Sequence, residues 1–281
     1  MTESARLPDF IIIGAMKSAT STLHNQLSAQ PGIFMSTPKE PNFFSDDDIY
    51  SRGLTWYTGL FHDANPGDIC GESSTHYTKL PDYPDTISRL KSAVHQPKLI
   101  YVMRHPIDRL VSHYMHQWSE GVISCDINRA IDRYPELINY SCYGMQLQPY
   151  LQAFGSDALL LLQFEDLKKN KDKTLERIGE FLGLKKTFHW VDSLDRDNVS
   201  SQRLRRFPGY EILVNSKPMS WIRRNLVPQS VRDRIKKKLS MQKRPEISPD
   251  QYQRLMDIFD RDLKILNNCL GIEITCASFK P

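Results

Sequence analysis

The sequence lacks any run of about eighteen consecutive apolar residues, so no segment is expected to cross a membrane as a helix. Cysteine is scarce: Cys70, Cys125, Cys142, Cys269 and Cys276 are scattered, odd in number and without a CxxC pair. That pattern argues against a zinc site and a disulfide framework, and fits reduced thiols. No apolar leader precedes the first strand, since Met1–Arg6 runs straight towards it; no signal peptide is expected, and the location expected is cytoplasmic. Repeats and low-complexity tracts are absent as well. A large excess of one charge is also missing, the net charge being +4. That balance conceals an asymmetry. Residues 201–245 hold thirteen Lys and Arg against Glu211 and Asp233, giving +11 there and −7 elsewhere, which implies an anionic partner near that window.

What remains is a chain of 281 residues, 40% hydrophobic and 25% charged, long enough for one sizeable core. Apolar strands are expected at Phe10–Gly14, around Asp68–Gly71, at Lys98–Met103 and at Ala158–Phe164. Between and after them, helical spacing appears over 85–95, from Pro106 through Trp118, over 143–154 and over 172–183. Strands that are apolar throughout and alternate with helices predict an α/β fold, with a central parallel sheet covered on both faces. Residues 34–44 read as a short segment broken by prolines. A last helix over 248–271 has Ser248 as N-cap, Pro249 at its first position and Gly271 after it. Its stripe of Tyr252, Leu255, Met256, Phe259, Leu263, Leu266 and Leu270 is expected to be core.

The first strand leads into Gly14-Ala15-Met16-Lys17-Ser18-Ala19-Thr20-Ser21-Thr22-Leu23, a turn that opens a helix. A helix N-terminus offers unpaired N–H groups and a positive dipole end, which suits a phosphate. The loop differs from that of the nucleotide triphosphatases, which place a second glycine directly before the lysine.

In open α/β sheets ligands sit beyond the carboxyl ends of the strands. Three such ends carry polar chemistry: Lys17 after the first strand, Glu72 after the next, and Arg104 after Lys98–Met103. A magnesium-dependent enzyme would be expected to place an aspartate at such a strand end. Here the strand ends in Arg104, a fixed cation suited to phosphate, with Ser112 two turns along the following helix. Arg104 could alternatively pair with Asp108 or Glu72.

At these residues the chain resembles the 3′-phosphoadenosine-5′-phosphosulfate (PAPS) dependent sulfotransferases, closest to bacterial members related to the heparan sulfate and carbohydrate enzymes. Lys17-Ser18-Ala19-Thr20-Ser21-Thr22 resembles their 5′-phosphosulfate loop, K-x-G-T-[ST]-x-L. Arg104-His105-Pro106-Ile107-Asp108-Arg109-Leu110-Val111-Ser112-His113-Tyr114 is similar to R-[DN]-P-x-x-R-x-x-S-x-Y, whose Arg and Ser hold the 3′-phosphate. Lys39-Glu40-Pro41-Asn42-Phe43-Phe44 resembles K-E-x-x-F-F, and Gly71–Tyr77 resembles E-K-[ST]-P-x-Y. Tyr143-Gly144-Met145-Gln146-Leu147 and Phe164-Glu165-Asp166-Leu167 fall where the family has Y-x-x-x-L and Y-E-D-L. The chain departs from these patterns in three places. Ala19 replaces the loop glycine, which is tolerable only at negative φ. Ser73 and Ser74 replace lysine and proline. The late nucleotide-contacting loop is not evident, and its equivalent is assigned to 198–203, with Ser200 and Arg203 as nucleotide contacts.

The resemblance implies a single P-loop-like domain over 1–281 that binds PAPS as sulfuryl donor and requires no metal. It implies Glu72 as the base for a hydroxyl-bearing acceptor, with His76 as runner-up, Lys17 at the leaving oxygen and Lys39 as a second cation. Tyr143 joins Arg104 and Ser112 among the nucleotide contacts. Partners are then the donor and the acceptor, not a nucleic acid, while the oligomeric state stays open. Two other readings stay open too: a P-loop small-molecule kinase and a catalytically silent nucleotide-binding module. The basic segment within 200–245 reads as a packed helical lid, as a cover binding an acidic glycan, or, over 217–239, as a peripheral contact with an anionic membrane.

Overall fold

A computed structural model describes residues 6–196, 205, 241 and 243–279. The strands are β1 (Phe10–Gly14), β2 (Ile33–Met35), β3 (Ile69–Ser73), β4 (Lys98–Met103) and β5 (Leu159–Gln163). The described helices, in chain order, are α1 (Thr20–Ser28), α2 (Asp47–Tyr50), α3 (Gly53–Gly59), α4 (Thr86–Ala93), α5 (Pro106–Ser119) and α6 (Ile127–Arg133). They continue with α7 (Glu136–Asn139), α8 (Tyr143–Phe154), α9 (Phe164–Lys169), α10 (Lys171–Leu182) and α11 (Pro249–Leu270). The sheet order is β2-β3-β1-β4-β5, and every pairing is parallel, as expected from the all-apolar strands.

Side chains alternate across the sheet with a period of two. Ile11, Ile13, Leu99, Tyr101 and Met103 join one core, shared with Leu147 of α8 and Leu255, Phe259, Leu263 and Leu266 of α11. Phe10, Ile12, Ile100 and Val102 join the other, with Leu23 and Leu27 of α1 and Leu175, Ile178 and Leu182 of α10. Burying each such side chain contributes about 1.5–3 kcal/mol, so both faces of β1 anchor it firmly at the sheet centre.

Three expectations change. Residues 34–44 do contain part of a strand, β2, which pairs with the outer side of β3, so Glu72 lies within the third strand, one residue before its end, and Arg104 follows the fourth. Helices α2, α3, α6, α7 and α9 are additional to those expected from the sequence. Along α11, Leu255, Phe259, Leu263 and Leu266 are core, but Tyr252 is 43% exposed, because the first turn starts at a surface cavity before the helix reaches the sheet. The caps are as expected: Ser248 Oγ accepts from Gln251 N, and Gly271 adopts φ 64°. Midway along α11, Asp262 accepts hydrogen bonds from Gly144 N (2.6 Å) and Met145 N (2.8 Å) at the start of α8, where the helix dipole favours its charge. A Cβ on Gly144 would lie 2.2 Å from Asp262 O, so glycine is needed for the two helices to meet this closely.

Candidate active site

The adjacent strands β3, β1 and β4 deliver Glu72, the Lys17 loop and Arg104 to the same carboxyl edge of the sheet. The β1–β4 register slips between Ile12 and Gly14, which frees the chain to leave the sheet there. Gly14 is required for close approach: a Cβ on it would lie 2.2 Å from Thr78 Oγ1 and 2.5 Å from the Tyr101 ring. Beyond it, Ala15 N still bonds Val102 O (3.0 Å), and Ser18 N turns back to Ala15 O (3.1 Å).

Within this loop Lys17 has φ 74° and Ala19 φ 62°. The expectation of negative φ at Ala19 is therefore wrong. The anchored turn forces the left-handed conformation on the residue before α1, where Ala has no preference for it. Left-handed geometry costs a residue with Cβ roughly 1–2 kcal/mol, which the buried β1 side chains outweigh. Ala19→Gly is accordingly expected to stabilise the fold by about 1 kcal/mol, raising Tm by about 2 °C in a thermal melt.

No side chain caps α1, so the N–H groups of Thr20, Ser21 and Thr22 face outward from its first turn. Ser18 Oγ is buried and without a partner. Unpaired backbone donors, a buried hydroxyl and a lysine in one turn are the groups that could hold a phosphate-like anion.

Arg104 is partly buried and held through both its backbone and its side chain. Its backbone N bonds Tyr143 Oη (3.2 Å), and the same hydroxyl donates to its carbonyl (2.6 Å). Its guanidinium lies 4.6 Å from the Phe164 ring centroid and donates from Nη1 to Lys17 O (3.3 Å), leaving a buried Nε unpaired. Neither alternative partner takes it, for Asp108 instead pairs with Arg244. Tyr143 is fully buried and reaches this site through the Arg104 backbone. Ser112 lies on α5 and is buried.

Glu72 is fully buried among Tyr57, Tyr77 and Ser74. Burial pushes its carboxyl up to about 8, against the opposing pull of those three hydroxyls, and neither carboxylate oxygen has a partner with full hydrogen-bond geometry. His76, on the single turn Thr75–Thr78 that follows, stacks on Tyr83 at 4.8 Å. Burial and then Lys79 bring its pKa down to about 4, so the ring is neutral with little proton affinity. Lys39 is held 2.6 Å from Glu40, and Glu40 N bonds Ser73 O (2.9 Å), docking the segment against β3.

Two groups escaped the sequence reading. His24 Nδ1 lies 2.9 Å from Ser73 Oγ, tying α1 to β3, and burial followed by Lys39 lowers its pKa to about 4. The only signal was its position one turn after Thr20, on the same helix face. Lys79 is brought down to about 8, chiefly by burial, and stands three residues after His76, where a 3₁₀ turn aligns side chains. Ser200, Arg203 and the 217–239 segment lie outside the described residues. No described helix is long and apolar enough to cross a membrane.

Comparison with known proteins shows the family of the chain. Residues 7–267 match the family model described as Sulfotransferase domain. The chain is 32% identical over 192 residues to mouse heparan sulfate glucosamine 3-O-sulfotransferase 3B1, covering 65% of this chain and 48% of that protein. It is 27% identical over 217 residues to human bifunctional heparan sulfate N-deacetylase/N-sulfotransferase 2, covering 69% of this chain and 24% of that one. The matched part thus spans at most about half the length of these relatives. Among solved structures, a sulfotransferase from Alicyclobacillus acidocaldarius superposes with TM-score 0.67 at 22% identity, covering 98% of this chain and 100% of the other. Mouse sulfotransferase SULT7A1 complexed with PAP gives TM-score 0.53 at 16% identity, over 95% and 89% of the two chains. The match of residues 7–267 to that family model, on a fold shared with these structures, places the chain in the sulfotransferase domain family.

Proposed function

We propose that the protein transfers the sulfuryl group of PAPS to a hydroxyl or amine of a carbohydrate, glycolipid or other small molecule. The observation that carries this reading is the convergence of Glu72, the Lys17 loop and Arg104 from neighbouring strands. The α1 N-terminus, Lys17 and Ser18 hold the 5′-phosphosulfate, while Arg104 and Ser112 hold the 3′-phosphate. Glu72 takes the acceptor proton as the acceptor oxygen bonds sulfur and the sulfur–oxygen bond to phosphate breaks. Lys17 offsets the charge that grows on the departing oxygen. With a carboxyl near 8 against an imidazole near 4, Glu72 is much the stronger base, which favours it over His76. Lys39, neutralised by Glu40, serves better to orient the acceptor side than to bind phosphate. The five free cysteines support a reducing compartment such as the cytoplasm.

The test is calorimetry with adenosine 3′,5′-bisphosphate against ATP with magnesium, followed by transfer of labelled sulfate from PAPS to an acceptor panel. Preference for the bisphosphate together with transfer supports the proposal. Preference for ATP with magnesium indicates a kinase, and binding without transfer a silent module.

Arg104→Ala is expected to weaken bisphosphate binding roughly 10–100-fold, the equivalent of about 1.5–3 kcal/mol for a charge-assisted bond. Ser112→Ala should weaken it less. Both should narrow the preference for 3′-phosphorylated over unphosphorylated nucleotide, read in the same calorimeter. Unchanged discrimination would remove these residues from the 3′-phosphate site.

A further inference from the structure

Helix α5 carries Arg109 and His113 one turn apart, and so on one face. Both are fully buried. The Arg109 guanidinium donates from Nε to Ser141 Oγ (2.5 Å) and from Nη2 to Leu137 O (2.8 Å), but its Nη1 has no partner. The groups that most support its charge are Tyr143, Tyr101, Cys142 and Tyr140, all uncharged at neutral pH. A fully buried cation thus stands without a carboxylate among them.

His113 supplies the second half of the observation. Gln117 presents its amide nitrogen 3.3 Å from His113 Nε2. An amide nitrogen only donates, so Nε2 accepts, and the proton of the neutral ring sits on Nδ1. That Nδ1 is buried and has no partner either. Burial and then Arg109 hold the ring far below its ordinary pKa, so it cannot become a second cation, while Lys79 and Lys17 add to the positive field it feels. Two inward-facing donors and an uncompensated charge therefore share one helix face. A water molecule could accept both hydrogen bonds but would leave the charge unbalanced, and a buried, unbalanced charge costs several kcal/mol. The missing group is an acceptor that carries negative charge, and the complete burial of both side chains admits only a small one.

We propose that Arg109 Nη1 and His113 Nδ1 form a buried site for a small monovalent anion, chloride being the obvious occupant. Ser141 Oγ, besides accepting from Arg109, donates to Pro106 O (3.0 Å) at the start of α5. The anion therefore fixes how the helix that bears Ser112 sits against the α7–α8 connection. Its role is structural and stands independently of the transfer reaction.

The test uses the full chain in sodium chloride replaced stepwise by sodium methanesulfonate at constant ionic strength. Tm is expected to rise with chloride, by about 2–3 °C for each tenfold increase above the dissociation constant. In His113→Asp a carboxylate one turn from Arg109 supplies the missing charge, and the chloride dependence should vanish. Equal Tm in the two salts, or a dependence that persists in His113→Asp, overturns the site. Should that variant fail to fold, crystals of the parent grown in sodium bromide decide. An anomalous peak within hydrogen-bond distance of both nitrogens supports the proposal, and a featureless map there refutes it.

Discussion

Glu72→Gln is expected to abolish nearly all sulfuryl transfer and, at the same time, to give a more stable protein. The amide keeps the shape of the carboxylate and can donate to the hydroxyl oxygens of Tyr57 and Tyr77, but it cannot take a proton from the acceptor. Stability changes because burial raises the Glu72 carboxyl from 4.5 to about 8. A raised carboxyl pKa means that the folded state binds the proton more tightly than the unfolded state. The penalty for ionisation is therefore absent below about 4.5, grows as pH rises, and is complete above about 8. The gap of about 3.5 units corresponds to an advantage for the glutamine variant on the order of 3–5 kcal/mol at pH 8, shrinking towards zero near pH 4.5. Urea denaturation of the two proteins across this range checks the sign and the window. An advantage that does not grow with pH would mean that Glu72 is ionised at little cost in the fold. The same linkage predicts that transfer by the parent rises with pH up to about 8, where the base form becomes dominant.

Lys17→Ala is expected to lower kcat by a factor of about 100–1000 while changing the affinity for adenosine 3′,5′-bisphosphate much less. Removal of one preorganised donor aimed at developing charge typically has an effect of that size. In the proposed site the nucleotide would keep the α1 N-terminus, Ser18 and Arg104, so binding should retain most of its contacts. Single-turnover transfer separates the two quantities, since it isolates the chemical step from nucleotide release. A variant with parental kcat would remove Lys17 from the leaving-oxygen role. One that loses affinity while keeping kcat would make it a binding residue only.

Much of this architecture is legible before any coordinates. The all-apolar runs 10–13 and 99–103 read as strands buried on both faces, and they fix the positions of the Lys17 loop and Arg104. The Ser248, Pro249 and Gly271 signals mark the ends of α11 because capping depends on the immediate neighbours. Strand β2 is not legible, for three residues followed closely by prolines carry too little periodicity. The sign of φ at Ala19 is equally hidden, because it is imposed by the bond from Ala15 to Val102 on another strand. Glu72 is recognisable as a candidate base, but its raised pKa is not. That property comes from complete burial, which exists only in the folded chain and outweighs the opposing hydroxyls of Tyr77 and Tyr57. The positions of His24 and Lys79 are likewise products of tertiary packing, between α1 and β3 and at the end of a single 3₁₀ turn.

The bond from Arg104 to Lys17 O, with Tyr143 gripping the Arg104 backbone from behind, makes the two ends of the proposed nucleotide site parts of one rigid gauge. Such a gauge measures the separation between two anionic groups, not the presence of either alone. A nucleotide with all its phosphates in one chain would satisfy one jaw and leave the other unfilled, so under the proposed function selectivity for a ligand phosphorylated at both ends of its ribose would be set during folding, before any ligand arrives.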